Sequence, residues 1–212
     1  MSSRMSAILI IIGIAVTVIF GFTNDTATAD WTSDQSMMAA LSANYSWVQL
    51  SMLISAIGQI IIIIGIFGIR DSMSGGEGHK YAVMSSLFLA IGATMNLIWA
   101  TLLGVTGEAA AAGMAGSAPH MAIASATFAA AIGMGAAGGV STFVGISLLG
   151  IGTTIQKNFN IIIGILLAII GIVGIVLTLL DSRSTLLFIP WIGTFVILLA
   201  MAGLSLRKQL EN

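Results

Sequence analysis

Long stretches without a single charged residue constrain this sequence more than any other feature. Only 7% of its residues are charged, and its mean hydropathy is +1.08. The uncharged stretches reach about 20 residues or more, which is the length that a helix needs to cross a hydrocarbon core of roughly 30 Å. A chain inside lipid must satisfy its own backbone hydrogen bonds, and a helix does so within one segment. The sequence therefore predicts an all-α integral membrane protein.

Six of these stretches predict a six-transmembrane-helix bundle, arranged as three helical hairpins in a single domain over residues 1–212. The predicted spans are residues 6–22, 47–69, 81–105, 121–153, 159–180 and 186–206, and residues 23–46 form a predicted outer loop. The alternative divides the stretch from 109 to 156 into two spans and gives seven helices.

The basic residues favour six spans with both the N-terminus and the C-terminus in the cytoplasm. In that arrangement six of the seven basic residues, Lys208 among them, lie inside, and only Arg183 lies outside. Seven spans would divide them four to three, whereas basic residues of membrane proteins concentrate on the cytoplasmic side. All four tryptophans then fall in or near the outer half, as an interfacial aromatic belt requires. The predicted location is a prokaryotic plasma membrane, with which an acidic outer loop is compatible.

The fourth apolar stretch is too long for a simple crossing. Residues 121–156 would form a helix of about 54 Å at 1.5 Å per residue. Either this helix projects beyond the outer surface, or it breaks in the glycine-rich segment 133–139. Residues 36–46, just before the second span, also favour a helix. We therefore expect the second and fourth helices to project together outside the membrane.

The predicted outer side carries the two N-x-S/T sequons of the chain, at Asn24 and Asn44. Each is either a glycan acceptor or a chance occurrence of a short motif. The triplet at residues 27–29 resembles the cleavage site of a secretory signal, but we interpret the first apolar stretch as a retained membrane anchor.

Composition argues against several chemistries. The chain has no cysteine, and so no disulfide, cysteine-ligated zinc site or iron–sulfur cluster. A formal net charge of −1 provides no basic face for nucleic acid. No ionisable residue lies at membrane depth in the predicted spans, which argues against a proton relay or a voltage sensor. No serine has an identifiable histidine and carboxylate partner, and we expect neither a cofactor nor enzymatic activity.

Uncharged polar residues within the predicted spans are the first candidate site. They are Gln59, Asn96, Ser141, Thr142 and Thr194. These residues either line a narrow path for a small neutral solute or form hydrogen bonds between helices, and the second interpretation is the more ordinary one. In both cases Gln59 and Asn96 should face the interior of the bundle.

A small-residue face in the fourth span is the second candidate. Gly135 and Gly139 form a G-x-x-x-G pair beside Ala131, and such a face lets two helices approach closely. The same segment matches the G-x-G-x-x-G dinucleotide motif, but that motif requires a preceding strand and an aqueous phosphate site. We therefore predict a helix-packing face, whose partner helix lies in this chain or in another subunit.

Methionine and histidine on the predicted outer side give a weak metal hypothesis. Thioether and imidazole ligands suit copper(I), and the candidates are Met37, Met38, Met114, His120 and Met121. Methionine is more often an apolar filler. We therefore predict no metal site.

Two classes of function remain. The first is a noncatalytic accessory or structural subunit of a membrane complex, which packs through small-residue faces against other membrane subunits or copies of itself. It fits the 25 glycines and the lack of intramembrane charge. The alternative is a small channel or facilitator for a neutral solute, with Gln59, Asn96 and Thr194 along the path. A continuous polar cavity would favour the channel, and an exposed glycine-rich stripe the subunit.

Overall fold

The computed structural model describes residues 2–157 and 159–210, and the side chains among them up to residue 207, so that of Lys208 lies outside the description. This part of the chain is helical and contains no strand. Six of its seven α-helices, all except α2, are long and apolar enough to cross a membrane. An all-helical protein with six candidate spanning helices is thus confirmed. The helices are α1 (Ser3–Gly21), α2 (Asp34–Ala43), α3 (Tyr45–Ser72), α4 (His79–Met114), α5 (Ala118–Gln156), α6 (Ile161–Leu180) and α7 (Phe188–Leu210), with 3₁₀ turns at Asp25–Ala27 and Thr185–Leu187.

Short polar side chains set several helix boundaries. Ser2 and Asn160 cap α1 and α6 by accepting hydrogen bonds from backbone N–H groups of the first turn. Asn44 separates α2 from α3, because its φ of −145° and ψ of 64° are not helical, and its side chain accepts a hydrogen bond from the Trp47 N–H. The helix-forming residues before the second predicted span therefore make a separate short helix and do not lengthen α3.

The two longest helices are α4 and α5, with 36 and 39 residues. They measure about 54 and 58 Å at 1.5 Å per residue. α5 runs without a break through the glycine-rich segment 133–139. Its long partner is thus the third spanning helix, α4, and not the second as the sequence suggested. The predicted third span ended at residue 105, before Glu108, but four alanines at 109–112 continue the helix, as their high helix propensity favours.

The six long helices form a closed ring. Neighbours around it follow the order α1, α3, α4, α5, α6 and α7, and α7 returns to α1, while α2 lies against α4. α7 makes the sparsest contacts with its two neighbours. The ring is therefore least tightly packed on the two sides of α7.

Two large core clusters fill the ring unevenly, and a third, small one joins α4 and α5 at Ala109, Ala110 and Ala124. One cluster joins side chains of all six long helices near the α3–α4 loop, among them Ile66, Leu89, Leu149, Leu167 and Leu198. The other lies at the opposite end, which we call the α2 end, and its buried residues come from α2, α3, α4 and α5. The space between α1, α3 and α7 is therefore left unfilled at the α2 end.

Glycines bring α1 and α3 into backbone contact. A Cβ atom on Gly13 would lie 2.7 Å from the carbonyl oxygen of Gly58 and from the backbone nitrogen of Ile62. Next to this contact, Thr17 Oγ1 donates to the Ser55 carbonyl at 3.3 Å, and Ser55 Oγ donates to the Thr17 carbonyl at 3.0 Å. α1 is thus fixed to α3 by main-chain packing and two reciprocal hydrogen bonds.

Candidate functional site

The unfilled space at the α2 end is a cavity of about 730 Å³ between α1, α3 and α7, which we call the main cavity. Its volume lies within the roughly 300–1,000 Å³ of small-molecule sites. Its walls are mostly apolar side chains, and six aromatic rings contribute to them: Phe22, Trp31, Trp99, Phe188, Trp191 and Phe195. Such a lining suits an apolar molecule of substantial size.

The main cavity opens sideways between α1 and α7. Lining residues on both sides are also exposed: Ile19 of α1 is 56% exposed, Phe22 directly after α1 is 53% exposed, and Ile192 and Val196 of α7 are 55% and 59% exposed. In a bilayer, apolar surface of this kind faces acyl chains. The cavity therefore opens on an exposed apolar surface of these two helices.

Two further cavities adjoin the main cavity. An inner cavity of about 200 Å³ reaches towards α5 and α6 and shares four lining residues with the main cavity, namely Trp31, Gln59, Trp99 and Trp191. A small cavity of about 30 Å³ lies on the side of the α3–α4 loop, and Gln59 and Trp191 line it as well. Gln59 and Trp191 thus line all three cavities.

Gln59 and Asn96 are brought together, as hydrogen-bonded partners on α3 and α4. Asn96 Nδ2 donates to Gln59 Oε1 at 2.8 Å. Asn96 is buried, and its carbonyl oxygen lies against Gly138 of α5, where a Cβ atom would collide with it. Gln59 Nε2 has no hydrogen-bond partner among the described residues, and the Gln59 side chain lines the cavities.

The three hydroxyl candidates fall in two places. Thr142 and Thr194 line the small cavity beside Gln59, and Thr194 Oγ1 is buried without a hydrogen-bond partner in the described part of the chain. A cavity of this size holds one water molecule, which needs two or more polar neighbours. Ser141 lies elsewhere, in a shallow groove between α5 and the end of α6.

The small-residue face of α5 contacts helices of this same chain. Gly135 lies against the indole of Trp99 on α4, where a Cβ atom would be 2.9 Å from the ring. Gly139 lies near Thr178 of α6 at 3.4 Å, measured in the same way, and Ala131 is completely buried. The partner helices of this face are therefore α4 and α6.

Several residues that were not among the candidate site residues contact one another at the α2 end. Trp31 stacks on Trp99 with ring centroids 6.2 Å apart. Arg183, in the α6–α7 loop, donates from Nε to the Trp31 carbonyl and from Nη1 to Asp34 at 2.6 Å, and its guanidinium lies 5.4 Å from the ring of Phe128. One basic residue thus ties the segment before α2 to two other parts of the ring.

The segment before α2 also carries its own polar contacts. Hydrogen bonds from the side chain and backbone of Thr32 hold the pKa of Asp30 below its usual value. The amide of Asn24 is buried and donates to Ser51 Oγ at 2.9 Å, whereas Asn44 is exposed. Of the two sequons, only Asn44 therefore presents its side chain on the surface.

The methionine and histidine candidates lie at the α2 end in different settings. Met37 is buried in the core and Met38 packs against it. Met114 is exposed, with its sulfur 3.7 Å from Ser42 Oγ, and His120 Nδ1 lies 2.6 Å from Ser117 Oγ. Met121, on the first turn of α5, faces Gly113. Among the described residues no group of three or more histidines and carboxylates is placed to hold a metal ion.

No protein-family model, curated protein or solved structure matches this chain. The fold and the site define its class as a helical protein with six candidate membrane spans around an apolar cavity. The chemistry of that cavity is the basis for a function.

Proposed function

We propose that this protein is a noncatalytic membrane protein that binds a neutral, mainly apolar molecule taken up from the lipid phase between α1 and α7. The observation that carries the proposal is the main cavity, with its aromatic lining and its opening on the exposed apolar surfaces of both helices. Apolar ligand surface gains little on leaving lipid, because lipid tails are equally apolar. Selectivity must then come from shape, aromatic contact and a few hydrogen bonds.

Binding is favoured over passage through the ring. The core cluster near the α3–α4 loop joins all six long helices and fills the ring below the cavities. A facilitator for a neutral solute would need to open this cluster, for example at Leu89, Leu149 and Leu198, which are almost completely buried. The cavities thus support a binding site that is open on one side.

The proposed topology places the α2 end outside and both termini in the cytoplasm of a prokaryotic cell, with the chain in the plasma membrane as three hairpins. The distribution of basic residues supports it, because Arg4, Arg70, Lys80, Lys157 and Arg207 lie on or next to the ends of helices away from α2. In this orientation the main cavity opens into the outer leaflet.

A role as an accessory or structural subunit is the second candidate. The length of α4 and α5 supports it, because helices of about 54 and 58 Å exceed a hydrocarbon core of roughly 30 Å and leave a projection for a partner. Contact through Gly135 and Gly139 has less support, since α4 and α6 cover these residues. Another membrane subunit or a second copy would have to bind the projection.

Tryptophan fluorescence tests the binding proposal. Three of the four tryptophans line the main cavity, whereas Trp47 does not, and its indole N–H is hydrogen-bonded to the Thr23 carbonyl. We would prepare two variants in detergent, one that keeps only Trp191 and one that keeps only Trp47, with phenylalanine at the other tryptophan positions. A dibrominated fatty acid methyl ester serves as the quencher.

The expected result is saturable quenching of Trp191 at low mole fraction of the ester, reversed by the unbrominated ester. Trp47 should show only weak quenching that rises linearly with the probe. Equal, linear quenching of both tryptophans would mean that the cavity holds no ligand and would overturn the proposal.

A further inference from the structure

Most polar side chains of the main cavity have already used their hydrogen-bond donors. Thr17 and Ser55 donate to each other's carbonyl oxygens. Thr26 Oγ1 donates to Asn24 Oδ1, and Trp31 Nε1 donates to the Thr26 carbonyl. These four residues therefore offer no free proton to a ligand.

Three N–H groups remain without a partner, and all belong to residues shared by the main and inner cavities. They are Gln59 Nε2, Trp99 Nε1 and Trp191 Nε1, for which no hydrogen bond to another described residue is present. None of them is among the buried polar atoms sealed from contact. An indole nitrogen only donates, and the oxygen of Gln59 already accepts one hydrogen bond from Asn96. The junction of the two cavities is therefore a cluster of donors.

The cluster is also uncharged. No Asp, Glu, Lys, Arg or His from the described residues lines the main, inner or small cavity. The Arg183 guanidinium lies behind Trp31, outside the three linings, and is already paired with Asp34. An anion at the junction would therefore lose its hydration without a counter-charge in direct contact, at a cost of several kcal/mol. A neutral acceptor, such as a carbonyl oxygen, satisfies the N–H groups without that loss.

On the basis of the function proposed above, we infer that the site selects a neutral lipid by a carbonyl oxygen, whose two lone pairs accept hydrogen bonds from two of the three N–H groups of Gln59, Trp99 and Trp191 at the cavity junction. The hydrocarbon part of the ligand extends along the aromatic wall towards the opening between α1 and α7. An ester lipid and a long-chain ketone or quinone present the same acceptor, and both fall in this class.

The test compares four brominated probes of equal chain length on the full-length protein that keeps both donor tryptophans, Trp99 and Trp191, with phenylalanine at positions 31 and 47: a methyl ester, a ketone, an alkane and a free carboxylate at pH 8. We expect the ester and the ketone to reach half-quenching at a concentration at least fivefold below that of the alkane. The carboxylate should bind no better than the alkane. A carboxylate that binds more tightly than the ester would overturn the requirement for a neutral ligand.

A Gln59→Leu variant in the same background should bring the affinity for the ester closer to that for the alkane, because only the indole donors remain, and should leave the affinity for the alkane unchanged. Ser141→Ala is the matched control, since Ser141 lies outside the three cavities. Infrared spectroscopy of a ¹³C-labelled ester carbonyl gives a readout that folding defects do not imitate. The carbonyl band should shift to lower frequency on binding, and the shift should shrink in Gln59→Leu.

The outcomes separate this inference from the proposed function. Saturable quenching of equal affinity for ester and alkane, without a carbonyl shift, would overturn the donor cluster but leave the binding function intact. Absence of saturable quenching by every probe would overturn both. Preference for the ester alone over the ketone would confirm the acceptor and assign it to an ester lipid, and equal binding would confirm the wider class.

Discussion

Single glycines decide how closely helices approach in this protein, and their surroundings differ sharply. Gly13 lies against the backbone of α3, whereas Gly133 of α5 has open space around the position of a Cβ atom. Both lie within helices, so replacement by alanine gives each the same intrinsic gain in helix propensity, about 1 kcal/mol. The difference between the two variants therefore isolates packing.

We expect Gly13→Ala to lower the free energy of unfolding by about 1–3 kcal/mol, because backbone atoms cannot move aside for the added methyl group. Gly133→Ala should leave it unchanged or raise it slightly. Thermal unfolding in detergent, followed by circular dichroism, measures both. Equal stability of the two variants would show that α1 and α3 are not in main-chain contact.

At the scale of elements, the segment between α1 and α2 depends on a residue far away in the chain. Arg183 is separated from Trp31 by 152 positions, yet its guanidinium holds the Trp31 carbonyl and pairs with Asp34. A hydrogen bond from a charged donor contributes about 1.5–3 kcal/mol when buried. The pair with Asp34 is worth less, because the carboxylate is 65% exposed.

Arg183→Gln should therefore increase backbone amide exchange over residues 26–34 several-fold, and Asp34→Asn should do so to a smaller extent. Asp25→Asn is a control, since Asp25 is exposed in the same segment and forms no ion pair with the side chains that the structure describes. Hydrogen exchange with mass spectrometry follows all three variants. An unchanged exchange rate in Arg183→Gln would show that this contact does not order the segment.

At the scale of the whole molecule, the proposed topology puts the α4–α5 turn and the α3–α4 loop on opposite sides of the membrane. Because the chain has no cysteine, single cysteines can be introduced without background. Ala115 and Ser74 are exposed in the turn and the loop. Each accepts a cysteine without loss of packing.

With a membrane-impermeant maleimide we expect Ala115→Cys to be labelled on intact cells and Ser74→Cys only after the cells are opened. The reverse pattern would invert the orientation. Labelling of both on intact cells would mean that α4, the one helix between them, does not cross the membrane.

The class of the protein and the number of long helices were predictable, because length and hydropathy are properties of local sequence. The pairing of Gln59 with Asn96 follows from the need of polar groups in hydrocarbon for a partner, although the sequence alone left a solute path open. The length of α4 was underestimated, because Glu108 lies inside the helix. The hydrogen bond from Arg183 to Trp31 and the main cavity are both formed by segments that are far apart in the chain. No local sequence pattern therefore predicts them.

The way in which α1 is attached to α3 has a mechanical consequence for the opening of the main cavity. Backbone contact and two reciprocal hydrogen bonds make α1 a stiff edge that can yield only by separating two helices. α7 faces it through larger side chains such as Trp191 and Phe195, and it is the least tightly packed helix of the ring. The α7 side of the opening is therefore easier to displace than the α1 side. The position of α7 governs the width of the opening.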